Sequence, residues 1–302
     1  MPGLDLVLVL SERNRGWVLD TICKEIARYH PGRTALHYAA RGLPRARAYF
    51  FSHYSLFTEH VRRNPSLLLR RTLVWFTHPS DDPATARRVA RRLRLASAVV
   101  SMSTVHARTL VAQGVPPNKV HVVLSGTDPE RFFPHDRDGT GAVGLSSAYY
   151  ARKEPDRIAR LVRLLPGRPF LLVGKGWSEW PGFDRLEAEP NFTYVEPEYD
   201  EYPGYYAAMD VFVSPSRLEG GPIPLLEAMM ANVVPVCSRT GFGPDLIEHG
   251  RNGFLFDVDA PLDEVAALVE RAYSLDADVR ATVQERTWER VAREIRAVAE
   301  AG

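Results

Sequence analysis

Glu219 and Glu227 bracket two glycines and two prolines in the stretch V-S-P-S-R-L-E-G-G-P-I-P-L-L-E, residues 213–227. An apolar, helix-forming run follows at once: Leu225, Leu226, Ala228, Met229 and Met230. Pro224 is suited to open that helix, because a first-turn residue needs no N–H partner. A residue before proline is pushed out of the α region, so Ile223 is expected to be extended. Pro222 and Pro224 donate no backbone hydrogen bond, which leaves the amides of Gly220, Gly221, Ile223 and Leu225 at the helix mouth. Free amides and small residues at a helix N-terminus suit a phosphate. Glu227 then lies about one turn inside the helix, and Glu219 stands on the loop ahead of it. The pattern reads as a ligand site for an anion flanked by two carboxylates.

The elements that position this stretch alternate. Residues 4–10 (LDLVLVL) form a buried-strand run, followed by a loop containing Gly16 and a helical pattern to about Tyr29. Residues 48–52 and 72–76 are further strand candidates. The second ends in the polar run Thr77-His78-Pro79-Ser80-Asp81-Asp82, at the strand end where ligands bind in open α/β sheets. A basic helix over 83–95 and strands over 97–101 and 120–124, with a helix at 104–113 between, complete the first half. The polar run His135–Gly141 then marks a composition shift and the expected domain boundary. The second half repeats the alternation, with strands over 142–146, 170–173, 191–195, 211–214, 233–236 and 254–256. Gly174-Lys175-Gly176 directly follows a strand, and such glycines allow close approach of a ligand or a helix. The stretch 261–301 reads as helical. Alternation in both halves implies two parallel-sheet domains with a cleft between them.

Composition excludes several classes. The chain has 302 residues, 45% hydrophobic and 25% charged, as in an ordinary soluble enzyme. No apolar run approaches the ~20 residues needed to cross a bilayer, and residues 1–10 lack a basic leader. Cys23 and Cys237 lack metal or redox spacing and read as free thiols in a reducing cytosol. A net charge of +1 conceals a split: up to Asp138 there are 21 Arg and Lys against 11 Asp and Glu, and beyond it 17 against 26. The basic half favours an anionic acceptor or peripheral contact with an anionic membrane face; a solvated surface answering an acidic partner domain is the alternative. No nucleic-acid partner is expected.

Several motifs together give the chain a family likeness. E-G-G-P-I-P-L-L-E resembles the E-x7-E signature of retaining glycosyltransferases of family 4, the group 1 family of GT-B fold. V-H-V-V-L-S-G-T-D-P-E-R-F-F-P is similar to its segment before the interdomain linker, and A-R-K-E-P-D-R-I to its lysine element. F-L-L-V-G-K-G, A-A-M-D-V-F-V-S-P-S, T-G-F-G-P-D-L-I-E-H-G-R-N-G-F-L-F and T-W-E-R-V-A resemble four more of its elements. The likeness runs from about Pro117 to the C-terminus. It implies a GT-B fold of two Rossmann-like domains: an acceptor-side domain over 1–134, shortened for this family, a nucleotide-sugar domain over 135–286, and a helix over 287–302 that packs back on the first.

By this resemblance the chain moves a sugar from a nucleotide-diphosphate donor to an acceptor the sequence does not identify, without a cofactor. Lys153 is then the lysine on the diphosphate. The family's arginine five positions earlier is Ala148 here, and Arg152 is its candidate substitute. Glu227 matches the glutamate that accepts from the ribose hydroxyls and Glu219 the one beside the donor sugar. His78 resembles a histidine that reaches the sugar from the N-terminal domain, and Gly16 is what is left of a double-glycine loop. Three D-x-D triplets, at 136–138, 257–259 and 276–278, are scattered in linker, loop and tail, so no metal is expected. An inactive nucleotide-sugar-binding subunit and, behind it, a GT-B epimerase are the alternative readings. The compartment expected is the cytoplasm, with the inner membrane face as the place of any peripheral contact.

Overall fold

The computed structural model describes residues 3–39, 41–80 and 82–301; Asp81, one of the polar residues noted at a strand end, lies outside them. The chain divides into two compact units, one running to Gly126 and taking back the chain from Arg286, the other Thr127–Glu285. Each is built on a wholly parallel six-stranded sheet.

In the first unit the strands are β1 (Leu4–Val9), β2 (Thr34–His37), β3 (Ala46–Phe51), β4 (Arg71–Phe76), β5 (Ala98–Ser101) and β6 (Val120–Val122), in the order β2-β1-β3-β4-β5-β6. Helices α1 (Val18–Tyr29), α2 (Tyr54–Arg63), α3 (Pro83–Leu93) and α4 (Thr104–Ala112) connect them. The strands are near-continuous apolar runs because helices cover both faces of such a sheet. Val7, Val9, Phe51, Val74, Phe76 and Val99 accordingly sit in one buried cluster. In α3 the side chains of Ala86, Val89, Ala90 and Leu93 are buried, and Arg87, Arg88, Arg91 and Arg92 cover the exposed remainder. Asp82 caps its first turn by accepting from the amides of Ala84 and Thr85.

In the second unit the strands are β7 (Ala142–Ser146), β8 (Phe170–Val173), β9 (Phe192–Val195), β10 (Met209–Ser214), β11 (Val234–Ser238) and β12 (Phe254–Phe256). Their order is β12-β11-β10-β7-β8-β9, so the winding direction reverses between β7 and β10. Helices α5 (Pro155–Leu164), α6 (Phe183–Glu187), α7 (Tyr202–Tyr206), α8 (Ile223–Met230), α9 (Gly243–Leu246) and α10 (Leu262–Tyr273) belong to this unit, and α11 (Trp288–Glu300) to the first.

Three expectations shift. The division falls at 126/127, not after 134, because residues 127–134 are fastened to the second unit. Phe132 is buried edge-on against Tyr206, and Arg280 donates to the carbonyls of Phe132 and Pro129. The C-terminal stretch is not one helical run: α10 stops at Tyr273, and only a 3-10 turn at Arg280–Thr282 precedes α11. β2 and α2 are additional to the strands and helices read from the sequence. The first sheet holds as many strands as the second.

Helix α11 packs its buried stripe, Trp288, Val291, Ala292, Ile295 and Val298, on α1 and β4. Arg71 closes its far end by donating to the carbonyls of Val298 and Ala301. Where the chain returns, a Cβ on Gly126 would stand 2.7 Å from the backbone of Thr287 and Trp288, so only glycine lets the two segments pass. No helix among the described residues is long and apolar enough to cross a membrane.

Candidate functional site

In an open α/β sheet the loops leaving the two strands at a winding reversal go to opposite faces, and the gap between them holds the ligand. Here those strands are β7 and β10. The β7 loop carries Arg152 and Lys153; the β10 loop carries Glu219, Gly220 and Gly221 and leads into α8.

The two loops are stapled together. The Lys153 ammonium pairs with Glu219 Oε1, with side chains only 13% and 8% exposed. The Arg217 amide donates to Arg152 O (2.8 Å), and its guanidinium donates to Glu154 Oε1 (3.0 Å). Glu154 adopts a left-handed backbone (φ 58°), a conformation that costs a non-glycine residue on the order of 1 kcal/mol or more. It ends the short turn bearing Lys153 and hands the chain to Pro155 at the start of α5. Arg152 lies 4.4 Å over the Tyr150 ring, and its buried Nε has no hydrogen-bond partner among the described residues.

Behind Glu219, the Thr240 hydroxyl accepts its amide at 3.0 Å. Gly241 (φ +56°) presses so close that a Cβ there would stand 2.8 Å from Glu219 Cβ and from Gly220 O. Thr240 and Gly241 thus form the floor that sets Glu219. Their T-G motif was legible, but not their position behind the glutamate, since they follow a different strand.

At the helix mouth two expectations change. Ile223, not Pro224, is the first helical residue, so Pro224 occupies the second position and Pro222 is the cap. The Leu225 amide donates to Pro222 O (2.9 Å) and is therefore not available to a ligand. The amides of Gly220, Gly221 and Ile223 have no hydrogen-bond partner among the described residues. Three donors and the helix dipole consequently remain for an anion, beside Arg152 and Lys153.

One turn into α8, Glu227 is 1% exposed. Both its oxygens meet phenols: Tyr199 donates to Oε1 and Tyr206 to Oε2 at 2.9 Å. Burial, the larger influence, pushes the Glu227 carboxyl up to about 7, while the two phenols and then Arg131 pull it down. Burial and the adjacent carboxylate raise both tyrosines in turn. Neither tyrosine stands out in the sequence; the acidic, tyrosine-rich run Glu196–Tyr206 that follows β9 is the only signal.

Gly174 makes a close approach within the unit. Its φ is +146°, and a Cβ would stand 2.0 Å from Ser147 O, so the glycine lets the exit of β8 pass the loop leaving β7. Trp177 Nε1 donates to the same carbonyl at 2.8 Å, bracing the loop that leads to Lys153.

Gly16 and His78 belong to the first unit. Gly16 (φ +80°) directs its amide to the fully buried Asp20 carboxylate at 2.8 Å, which also accepts from Tyr38 (2.5 Å) and pairs with Lys24 (2.7 Å). Its amide is thereby committed to the entry of α1 and is not a phosphate donor. His78 follows β4 and its Nδ1–H donates to Pro79 O (2.9 Å). His53 follows the neighbouring strand, β3. Burial first, then His78, lower its ring below the usual histidine range. Two members of the D-x-D triplets are tied to arginines: Asp257 to Arg239 and Asp259 to Arg217.

Residues 143–275 match the family model described as Glycosyl transferases group 1. Among similar proteins, a GDP-mannose-dependent alpha-mannosyltransferase of Mycobacterium tuberculosis is 32% identical over 213 residues, covering 65% of this chain and 54% of that one. The lipopolysaccharide core biosynthesis mannosyltransferase LpsB of Rhizobium meliloti is 28% identical over 250 residues, 70% of this chain and 68% of its own. The match therefore spans about half the length of the M. tuberculosis relative. Among solved structures, Anabaena HepE in complex with UDP-glucose superposes with a TM-score of 0.78 at 15% identity, covering 97% of this chain and 98% of that one. Sucrose-phosphate synthase from Thermosynechococcus elongatus gives 0.78 at 15% identity, with 97% of each chain covered. At that identity the likeness is one of fold, and the fold is GT-B.

Proposed function

We propose that the chain, whose residues 143–275 match the glycosyl transferases group 1 model, is a member of that family and a retaining, metal-independent glycosyltransferase using a nucleotide-diphosphate hexose. One observation carries the reading: the loops bearing Lys153 and the three unclaimed amides meet at the winding reversal, where Lys153 pairs with the buried Glu219. When the sugar–phosphate bond breaks, negative charge grows on the departing diphosphate. Donors already fixed in place stabilise that charge without reorganising, which is usually the largest single contribution to such a rate. Lys153, Arg152 and the amides of Gly220, Gly221 and Ile223 are assigned to it.

Glu219, held against Lys153, is assigned to the donor sugar, where its charge steadies the developing oxocarbenium. Glu227 is assigned to the ribose hydroxyls and His78 to the sugar; the role of His78 rests on the family resemblance and its strand-end position. Retention rests on the E-x7-E resemblance. A mannose donor is favoured by the activities for which the two relatives are named; the HepE complex holds UDP-glucose, so the base is left to experiment.

The assignment of Glu227 is tested by calorimetry with UDP, GDP, ADP and TDP. Glu227→Ala is expected to weaken the best-binding nucleotide by about 10- to 100-fold, the worth of hydrogen bonds to a charged group. An unchanged affinity removes Glu227 from the ribose.

A further inference from the structure

A carboxylate has roughly four acceptor positions, two on each oxygen. In Glu227 one position on each oxygen is filled, by Tyr199 on Oε1 and by Tyr206 on Oε2. One position per oxygen remains, a bidentate acceptor matched to two neighbouring hydroxyls. The phenols are themselves held. Tyr206 is 1% exposed, with Phe132 edge-on at 5.5 Å. Tyr199 stands on a 3-10 turn, Tyr199–Glu201. Arg131 lies 4.2 Å over its ring, donates to its carbonyl at 2.6 Å, and pairs with Asp200 at 2.8 Å.

We propose that Tyr199 and Tyr206 are positioning residues that orient Glu227 and keep it ionised, so that it presents one free acceptor site per oxygen to the vicinal diol of the donor ribose. This rests on the reading of Glu227 given under the proposed function. Neither phenol need touch the nucleotide; each acts through the carboxylate.

The consequence is a pH dependence of donor binding. A protonated Glu227 turns one acceptor into a donor and loses its match to a diol. The groups facing the carboxylate are Tyr199, Tyr202 and Tyr206, with Arg131 behind Tyr199 and Ser146 beside the Tyr206 hydroxyl. Arg131 and the hydrogen bonds from Tyr199 and Tyr206 favour the ionised form against burial, so deleting either hydrogen bond moves protonation to higher pH.

The test measures nucleoside diphosphate affinity between pH 6 and 9 for wild type, Tyr206→Phe, Tyr199→Phe and Glu227→Ala. A 2′,3′-dideoxy nucleotide is the control that lacks the diol. For the tyrosine variants, the ratio to wild-type Kd is expected to be about five- to tenfold at pH 6–7 and to approach one at pH 9, a midpoint about one unit higher. With the dideoxy nucleotide that ratio is expected to stay flat. Tyr199→Phe, at a 43% exposed residue, guards against a folding defect in Tyr206→Phe. If Glu227→Ala loses affinity while both tyrosine ratios are independent of pH, the inference is overturned and the ribose reading stands. If Glu227→Ala binds as wild type does, both are overturned.

Discussion

Lys153→Ala is expected to lower kcat for donor turnover by about 10²- to 10³-fold, the usual effect of removing one preorganised donor from a developing charge. Donor affinity is expected to fall less, because Arg152 and the three amides of Gly220, Gly221 and Ile223 still hold the ground-state diphosphate. The variant also removes a cationic partner from Glu219, which is 6% exposed, so the loss has a structural component as well. The double variant Lys153→Ala/Glu219→Gln reads the structural component alone, through stability, because Glu219 is itself assigned to the donor sugar. It relieves the charge imbalance and is expected to recover thermal stability. Turnover by Lys153→Ala within about threefold of wild type, read as a transition-state difference, would remove Lys153 from the leaving group.

Gly174→Ala is expected to be the most destabilising single change near the site. A Cβ there lies 2.0 Å from a backbone oxygen that also accepts from the Trp177 indole, so the obstacle is not the far end of a flexible side chain. The backbone itself has φ +146°, where a side chain is strained regardless of space. Overpacking and left-handed strain together cost on the order of 3 kcal/mol or more. For a unit of this size that is a Tm fall of roughly 6–12 °C by differential scanning calorimetry. A fall of less than about 2 °C would show that the β7 loop yields easily. The Ser147–Gly174 contact would then not be what braces Lys153.

The alternation of strands and helices, both parallel sheets and the loops bearing Lys153 and Glu219 were legible, because apolar runs and their spacing report directly on buried strands. What escaped was non-local or finely balanced. β2 is a four-residue edge strand of half-buried residues, too short and too polar for a clear period. α2 buries only Phe57 and His60, and a histidine does not read as a core position. At Ile223 the proline rule pointed to an extended residue, and the helix nevertheless begins there. The Leu225 amide is then satisfied by a tight first turn. The polar run at 135–141 was visible as a composition shift, whereas the anchors that carry 127–134 into the second unit, Phe132 and Arg280, lie 148 residues apart. Glu227 was legible as a charged residue at helical spacing. That its two oxygens meet phenols 28 and 21 residues earlier in the chain was not, since nothing in the local sequence links them.

The most direct test of the donor reading is nucleotide release. The protein is incubated in EDTA with UDP-, GDP-, ADP- and TDP-hexoses, and free nucleoside diphosphate is followed with time. The expected result is release from one donor, with water as acceptor in the absence of the natural one, at a rate EDTA does not change. Tight binding of a donor with no release from any of the four, with or without divalent metal, would contradict it. The protein would then be a nucleotide-sugar-binding subunit and not a transferase.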